Sequence, residues 1–240
     1  MNNLTNSIAF SIFSNKGIFS LLLGSGISRN SGIPTGWDVV TDLIKKLATL
    51  EGEDVSPDPA TWFETKYSQE ADYSNILEKV ANTTSERLNI MRPYFESSES
   101  DIEQGLKEPS IAHRSIAKLI KKGYIKVIIT TNFDRLLEKA IRLENIEAQV
   151  IRHPNDIEGS LPLVHSPFTL LKINGDYLDN RFLNTKAELT SYENSLNSYA
   201  LKIINDYGLI SCGWSAKWDI GLINIIKKVR TFDLVIIGHM

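Results

Sequence analysis

Four short segments carry residue types that could do chemistry, each following an apolar run. The first is Leu21-Leu22-Leu23-Gly24-Ser25-Gly26-Ile27-Ser28, continuing to Gly32-Ile33-Pro34. Closely spaced glycines after a buried strand let backbone N–H groups approach a phosphate, and a helix start beyond them adds partial positive charge. The spacing is not G-x-G-x-x-G, and such glycine turns also arise for steric reasons alone. The second segment, Ile128-Ile129-Thr130-Thr131-Asn132-Phe133-Asp134, ends a strand in small polar residues. The Asn132 amide donates and accepts hydrogen bonds but takes up no proton at neutral pH, so it suits orienting a ribose hydroxyl or an attacking water. Asp134 either caps the next helix or faces a ligand.

The third segment is Leu170-Leu171-Lys172-Ile173-Asn174-Gly175-Asp176-Tyr177, where Asn-Gly between apolar or aromatic residues favours a hairpin turn. The fourth, Leu209-Ile210-Ser211-Cys212-Gly213-Trp214-Ser215-Ala216-Lys217-Trp218-Asp219, repeats strand, glycine, polar residues and helix. Asp219 reads either as a helix cap or as a carboxylate facing a bound hydroxyl. Cys212 lies inside the apolar strand and reads as a core residue rather than a nucleophile. The histidines are His113, His153, His165 and His239, and no pair has the spacing of a helical metal site. One cysteine excludes an intrachain disulfide and a zinc site built from paired Cys-x-x-Cys elements, so no metal is expected.

The elements that must position these residues follow from apolar patterning. Near-continuous apolar runs recur at Ile18–Leu23, Ile125–Thr131, Ala148–Arg152, Phe168–Ile173, Tyr207–Cys212 and Asp233–Ile237, as in strands covered on both faces. Helical spacing separates several of them, which predicts an α/β fold: a Rossmann-like open parallel sheet of about six strands. Thr35 with Asp38 predicts the start of a helix running to about Leu50. Residues 51–108 are polar, helix-compatible and proline-bearing, and read as a helical insertion. A helix is expected over Ser110–Lys122 with Gly123 as its stop, and another over Arg135–Leu143. Met1–Asn15 reads only as an Asn/Ser/Thr-rich stretch.

With 240 residues, 42% hydrophobic and 23% charged, the chain has globular composition. A net charge of −3 advertises no nucleic-acid surface, and no apolar run reaches the roughly 18–20 residues that span a bilayer. No secretory n-region precedes Lys16, so a cytoplasmic, non-membrane protein is expected. The stop at Gly238-His239-Met240, directly after an apolar run, suggests the N-terminal part of a longer protein.

In order, the four segments resemble the sirtuin-like family, and most closely its bacterial branch of NAD-consuming domains associated with antiphage defence. G-S-G-I-S with G-I-P at residues 24–34 is similar to that family's dinucleotide loop, and T-T-N-F-D at 130–134 to its T-x-N-x-D element. K-I-N-G-D-Y at 172–177 stands where the family usually has K-x-H-G-D. G-W-S-x-x-W-D at 213–219 is similar to its late G-[YW]-S-x-x-D element, and Pro109 and His113 also fit its usual pattern. The resemblance spans residues 17–238 and implies a single NAD-binding domain over 1–240. It implies NAD as substrate, cleaved through an oxocarbenium-like state to nicotinamide and ADP-ribose. On that likeness Gly24, Ser25 and Gly26 hold the pyrophosphate, within a loop that includes Gly32, Ile33 and Pro34. Ser28, Thr131, Asn132 and Asp134 lie toward nicotinamide and its ribose, and Gly213, Ser215 and Asp219 toward the adenosine side.

Two departures from the family pattern carry consequences. The protein-deacylating members have a four-cysteine zinc module and Asp-Phe-Arg after Gly-Ile-Pro; here Thr35-Gly36-Trp37 follows, and one cysteine exists. Deacylation, like ADP-ribosyl transfer, is the lesser reading. The second departure is Asn174, where the family's catalytic histidine stands: imidazole accepts a proton near pH 7 and an amide does not. Three explanations stand: a base supplied elsewhere, with Asp176 and His165 nearest in sequence; a regulatory module that binds NAD or ADP-ribose without chemistry; or an engineered change that traps substrate. Because constant NAD depletion harms a host, the resemblance further implies restraint by homo-oligomer assembly or by a partner defence protein, in an abortive-infection setting.

Overall fold

The structure, a computed structural model, describes residues 3–179, 183, 186–216, 219–229 and 234–237. Strands β1 (Phe19–Leu23), β2 (Ile125–Thr130), β3 (Gln149–Ile151), β4 (Thr169–Lys172), β5 (Gly208–Cys212) and β6 (Leu234–Ile237) form one sheet in the order β3-β4-β2-β1-β5-β6. Every neighbouring pair is parallel. Each strand falls within one of the apolar runs, and the α/β reading holds. Of the last run, Asp233 lies outside the described residues, as do His239 and the chain end at Gly238–Met240.

Side chains alternate across a strand, so each run feeds two cores. Leu22, Val127, Ile129 and Leu171 face one side, packed with Leu196, Ala200 and Ile203 of the helix Asn194–Asp206. Leu21, Leu23, Ile128, Leu170 and Ile210 face the other, against the helices Ile111–Lys121 and Leu136–Leu143. Covered on both faces, the central strands carry apolar residues at most positions. The helix Gly36–Leu50 begins with a capping box between Thr35 and Asp38, and Ser110 with His113 caps Ile111–Lys121 the same way. Within residues 51–108 lie the helices Pro59–Tyr67, Tyr73–Val80, Thr84–Phe95 and Glu99–Glu103. Val40, Ile44, Phe63, Ile76, Leu77 and Met91 form a third core between them and Gly36–Leu50.

Two local expectations are corrected. The Asn/Ser/Thr-rich N-terminal stretch contains a helix, Asn3–Ser14, whose Ile8 packs into the core beneath β1; its polar composition hid the sparse apolar stripe. Asn174-Gly175 is not a hairpin turn, because β4 pairs only with parallel neighbours. Gly175 does take a positive φ of 90°, and its N–H closes a turn on the Lys172 carbonyl. A turn dipeptide predicts the reversal but not the strand that comes after it.

β1 lies between β2 and β5, with β2 and β4 to one side and β5 and β6 to the other. The connections therefore diverge at β1, and a crevice opens beyond its carboxyl end, the usual ligand address of such sheets.

Candidate functional site

The glycines at this edge serve first to let two loops touch. The Gly24 N–H donates to the Cys212 carbonyl at 3.1 Å and the Gly26 N–H to the Gly213 carbonyl at 3.0 Å. A Cβ on Gly24 would stand 2.5 Å from the Gly213 oxygen, and one on Gly26 2.9 Å from the Gly213 Cα. Gly213 itself has φ 66°, the left-handed region that suits glycine. These two N–H groups are thus engaged between loops, and close approach is a steric reason for glycine at both positions. Gly32, at φ 76°, ends the 3-10 helix Ser25–Ser31.

Behind the loops sits a closed polar relay. The backbone N–H of Ser110 donates to His113 Nδ1 at 3.2 Å, which leaves the proton of the neutral ring on Nε2, 3.3 Å from Ser28 Oγ. Ser28 Oγ also accepts from Asn132 Nδ2 at 3.3 Å and donates to Asp134 Oδ2 at 2.8 Å. The other Asp134 oxygen accepts from the Leu136 N–H at 3.0 Å, so Asp134 both caps and orients. Burial pushes the His113 imidazole below its ordinary value against the pull of Asp134, which suits the neutral ring that the relay requires. Asn132 Oδ1 is buried and has no partner among the described residues.

A second cluster stands across the crevice. Asn174 Nδ2 donates to Asp219 Oδ1 at 2.9 Å, Tyr192 Oη donates to Asn174 Oδ1 at 2.9 Å, and Trp214 Nε1 donates to Asp219 Oδ2 at 2.6 Å. Asp219 precedes the helix Ile220–Lys227 but makes no side-chain cap bond. Burial pushes its carboxyl above the usual range, the Asn174 and Trp214 hydrogen bonds opposing. The Asn174–Asp219 bond brings to one place two residues that the resemblance assigns to opposite ends of the ligand.

The two clusters share one cavity of about 340 Å³, within the range of small-molecule pockets. Of the residues singled out by sequence, Ser25, Gly26, Ile33, Pro34, Thr131, Asn132 and Asp134 line it, as do Asn174, Gly213, Ser215 and Asp219. Gly24, Ser28 and Gly32 do not; Ser28 supports from behind. Lys217 and Trp218 of the fourth motif lie outside the described residues. Trp37 and Phe133 also line it, as do Arg29 and, from residues 51–108, Tyr73, Met91 and Phe95, which escaped sequence reasoning. Helical periodicity marks such aromatics as core, and nothing local says that a crevice meets them. Tyr192 escaped for the same reason.

Asp176 and His165 are not in the cavity. Asp176 is fully buried; burial alone would raise its carboxyl, but Lys172, Arg135 and the Leu178 N–H outweigh it and hold it below the usual range. His165 lies exposed in a turn. Cys212 is partly buried in β5, and burial pushes its thiol up, away from the reactive thiolate. Among the described residues no group of three or more His, Cys, Asp or Glu side chains is placed to hold a metal ion, and no helix is long and apolar enough to cross a membrane.

No curated protein matches the chain. Solved structures do, at low identity. A structure from work on the mechanism and regulation of Sir2 enzymes is 16% identical with TM-score 0.49, covering 99% of this chain and 87% of that one. A Sir2 with p53 peptide and NAD+ is 15% identical with TM-score 0.46, covering 96% and 86%. A Sir2 in complex with the inhibitor EX-527, 2'-O-acetyl-ADP-ribose and deacetylated p53 peptide is 15% identical with TM-score 0.42, covering 97% and 86%. Residues 126–232 match the family model described as SIR2-like domain, a stretch that runs from Lys126 in β2 through the helix Ile220–Lys227 and includes Asn132, Asp134, Asn174, Gly213 and Asp219.

Proposed function

We propose that this chain is a sirtuin-like NAD+ glycohydrolase, cleaving NAD+ with water to nicotinamide and ADP-ribose. The observation that carries the reading is the buried Asn132 Oδ1, without a partner among the described residues, on a side chain that lines the same cavity as Asp219. A buried acceptor without a partner is costly, and a ligand hydroxyl or a held water satisfies it. The rest of the cavity fits the same ligand class. Phe133 and Phe95 offer apolar faces to a planar ring, and Arg29 offers a cation to a phosphate. The relay from His113 through Ser28 fixes the orientation of the Asn132 amide, with Nδ2 toward Ser28. By resemblance, the setting is antiphage defence, with activity held off by self-assembly or by a partner defence protein.

The test is incubation with NAD+ and chromatography of released nicotinamide. Wild type is expected to release it, and Asn132→Ala to lose roughly 10²-fold, the lower range for a positioned group. Binding is read separately: a ligand at about 100 times its dissociation constant stabilises by about 2.7 kcal/mol, visible as a thermal shift with NAD+ or ADP-ribose. One observation favours a second reading, a regulatory module that binds NAD+ or ADP-ribose without chemistry. Both ends of the Asn174 amide are engaged within the protein, and an amide is no base. A thermal shift without nicotinamide at any protein concentration selects that reading.

A further inference from the structure

Asp219 is placed to do what Asn174 cannot. We propose that the Asp219 carboxylate is the general base of this site, held in position by Asn174 and Trp214; this rests on the glycohydrolase reading. Asp134 and Asp219 are the two carboxylates among the described residues lining the cavity. Asp134 is committed to Ser28 and to the Leu136 N–H, on the supporting side of the relay. Among the described residues each Asp219 oxygen takes one hydrogen bond, and a carboxylate has about four lone-pair directions, so on that count each has one left for a water. The donors Nδ2 and Nε1 fix the plane of the carboxylate. Burial disfavours its charged form, which makes it a stronger base than an exposed carboxylate.

In the step, Asp219 takes a proton from the attacking water as the bond from water oxygen to ribose C1' forms. The bond from C1' to the nicotinamide nitrogen breaks, and its electron pair leaves with nicotinamide as the ring loses its positive charge. Asp219 then releases the proton to solvent. Asn174 is a positioning residue in this scheme: Tyr192 holds its Oδ1, so its Nδ2 must face the carboxylate. The titratable and charged groups that line the same cavity as Asp219 are Arg29, Tyr73 and Asp134, and Tyr192 reaches it through Asn174; Glu188, on the helix Lys186–Thr190, is paired with Arg87.

The test measures nicotinamide release and the NAD+ thermal shift side by side in four proteins. These are wild type, Asp219→Asn, Asn174→Ala, and Asn174→His in the Asp219→Asn background. Asp219→Asn is expected to lose about 10²- to 10⁴-fold in release, the usual worth of a general base, and to keep the thermal shift. Asn174→Ala is expected to lose less. The double variant is expected to regain at least about tenfold over Asp219→Asn, because an imidazole at position 174 supplies a proton acceptor. In wild type the release rate should fall toward acid with an apparent pKa above the ordinary carboxylate range, which serves if Asp219→Asn does not fold. Wild-type release from Asp219→Asn, loss of its thermal shift together with release, or a flat acid profile in wild type would each overturn the assignment of the base and leave the hydrolase reading standing. Absence of release from wild type itself overturns both, and that outcome is recognisable before any variant is compared.

Discussion

Lys172 and Asn174 stand two residues apart, yet they belong to buried polar clusters of opposite kinds. Lys172 is fully buried at the end of β4, and its ammonium reaches Asp176 at 2.9 Å, Glu138 at 3.0 Å and the Asp134 carbonyl at 2.7 Å. Arg135 adds a second cation on Asp176. Every charge there is answered from within the protein. Asn174 sits instead in a cluster open to the cavity, where Asp219 keeps spare acceptor directions and Asn132 Oδ1 has no partner among the described residues. The difference teaches how to tell a structural cluster from a candidate functional one. The first is complete and its carboxyl is held low; the second is incomplete and its carboxyl is pushed high. The first also pins the Phe133 and Asp134 carbonyls, and so fixes the β2 loop that carries Asn132.

The comparison breaks most sharply at Lys172. Lys172→Met leaves Asp176 and Glu138 buried with fewer cations and should cost about 3–5 kcal/mol in urea unfolding. A loss under 1 kcal/mol would show that the ion cluster is not structural. Next comes Ser28→Ala, which leaves the Asp134 and His113 partners without their hydroxyl and should cost about 1–3 kcal/mol. Asp219→Asn, by contrast, should shift the unfolding midpoint little, its loss appearing in turnover.

The smallest effect is in pH. His113 and Asp176 are both held below their ordinary values, so each contributes stability that is present above the ordinary value and lost as pH falls through the folded one. For His113 the loss begins near 6.5, and for Asp176 near 3.8. Asp219 has the opposite sign: its raised carboxyl costs stability as pH rises through its folded value. Thermal melts should therefore show a shallow decline just below pH 6.5 that His113→Gln removes, and a steeper one below pH 3.8 that it leaves in place.

Much of the architecture was legible in one dimension. Six apolar runs became six strands, and Thr35 with Asp38 became a helix cap, because strand burial and capping depend on residues a few positions apart. The helix Asn3–Ser14 was not legible, since its burial rests on Ile8 meeting strands more than ten residues away. The glycines were legible as close-approach positions, but not as loop-to-loop contacts.

What sequence determined by itself was the set of chemical groups and their arrival at strand ends: amides at 132 and 174, carboxylates at 134 and 219, and one cysteine. Tertiary structure alone decided their partners. Ser28 meets Asp134 across 106 positions and His113 across 85, and Asn174 meets Asp219 across 45. The physical reason is that periodicity encodes which face of an element is buried, whereas the meeting of two side chains depends on strand order and on the place where the chain crosses the sheet. The passage from β4 across β2 and β1 to β5 brings the Asp219 carboxylate to the Asn174 amide.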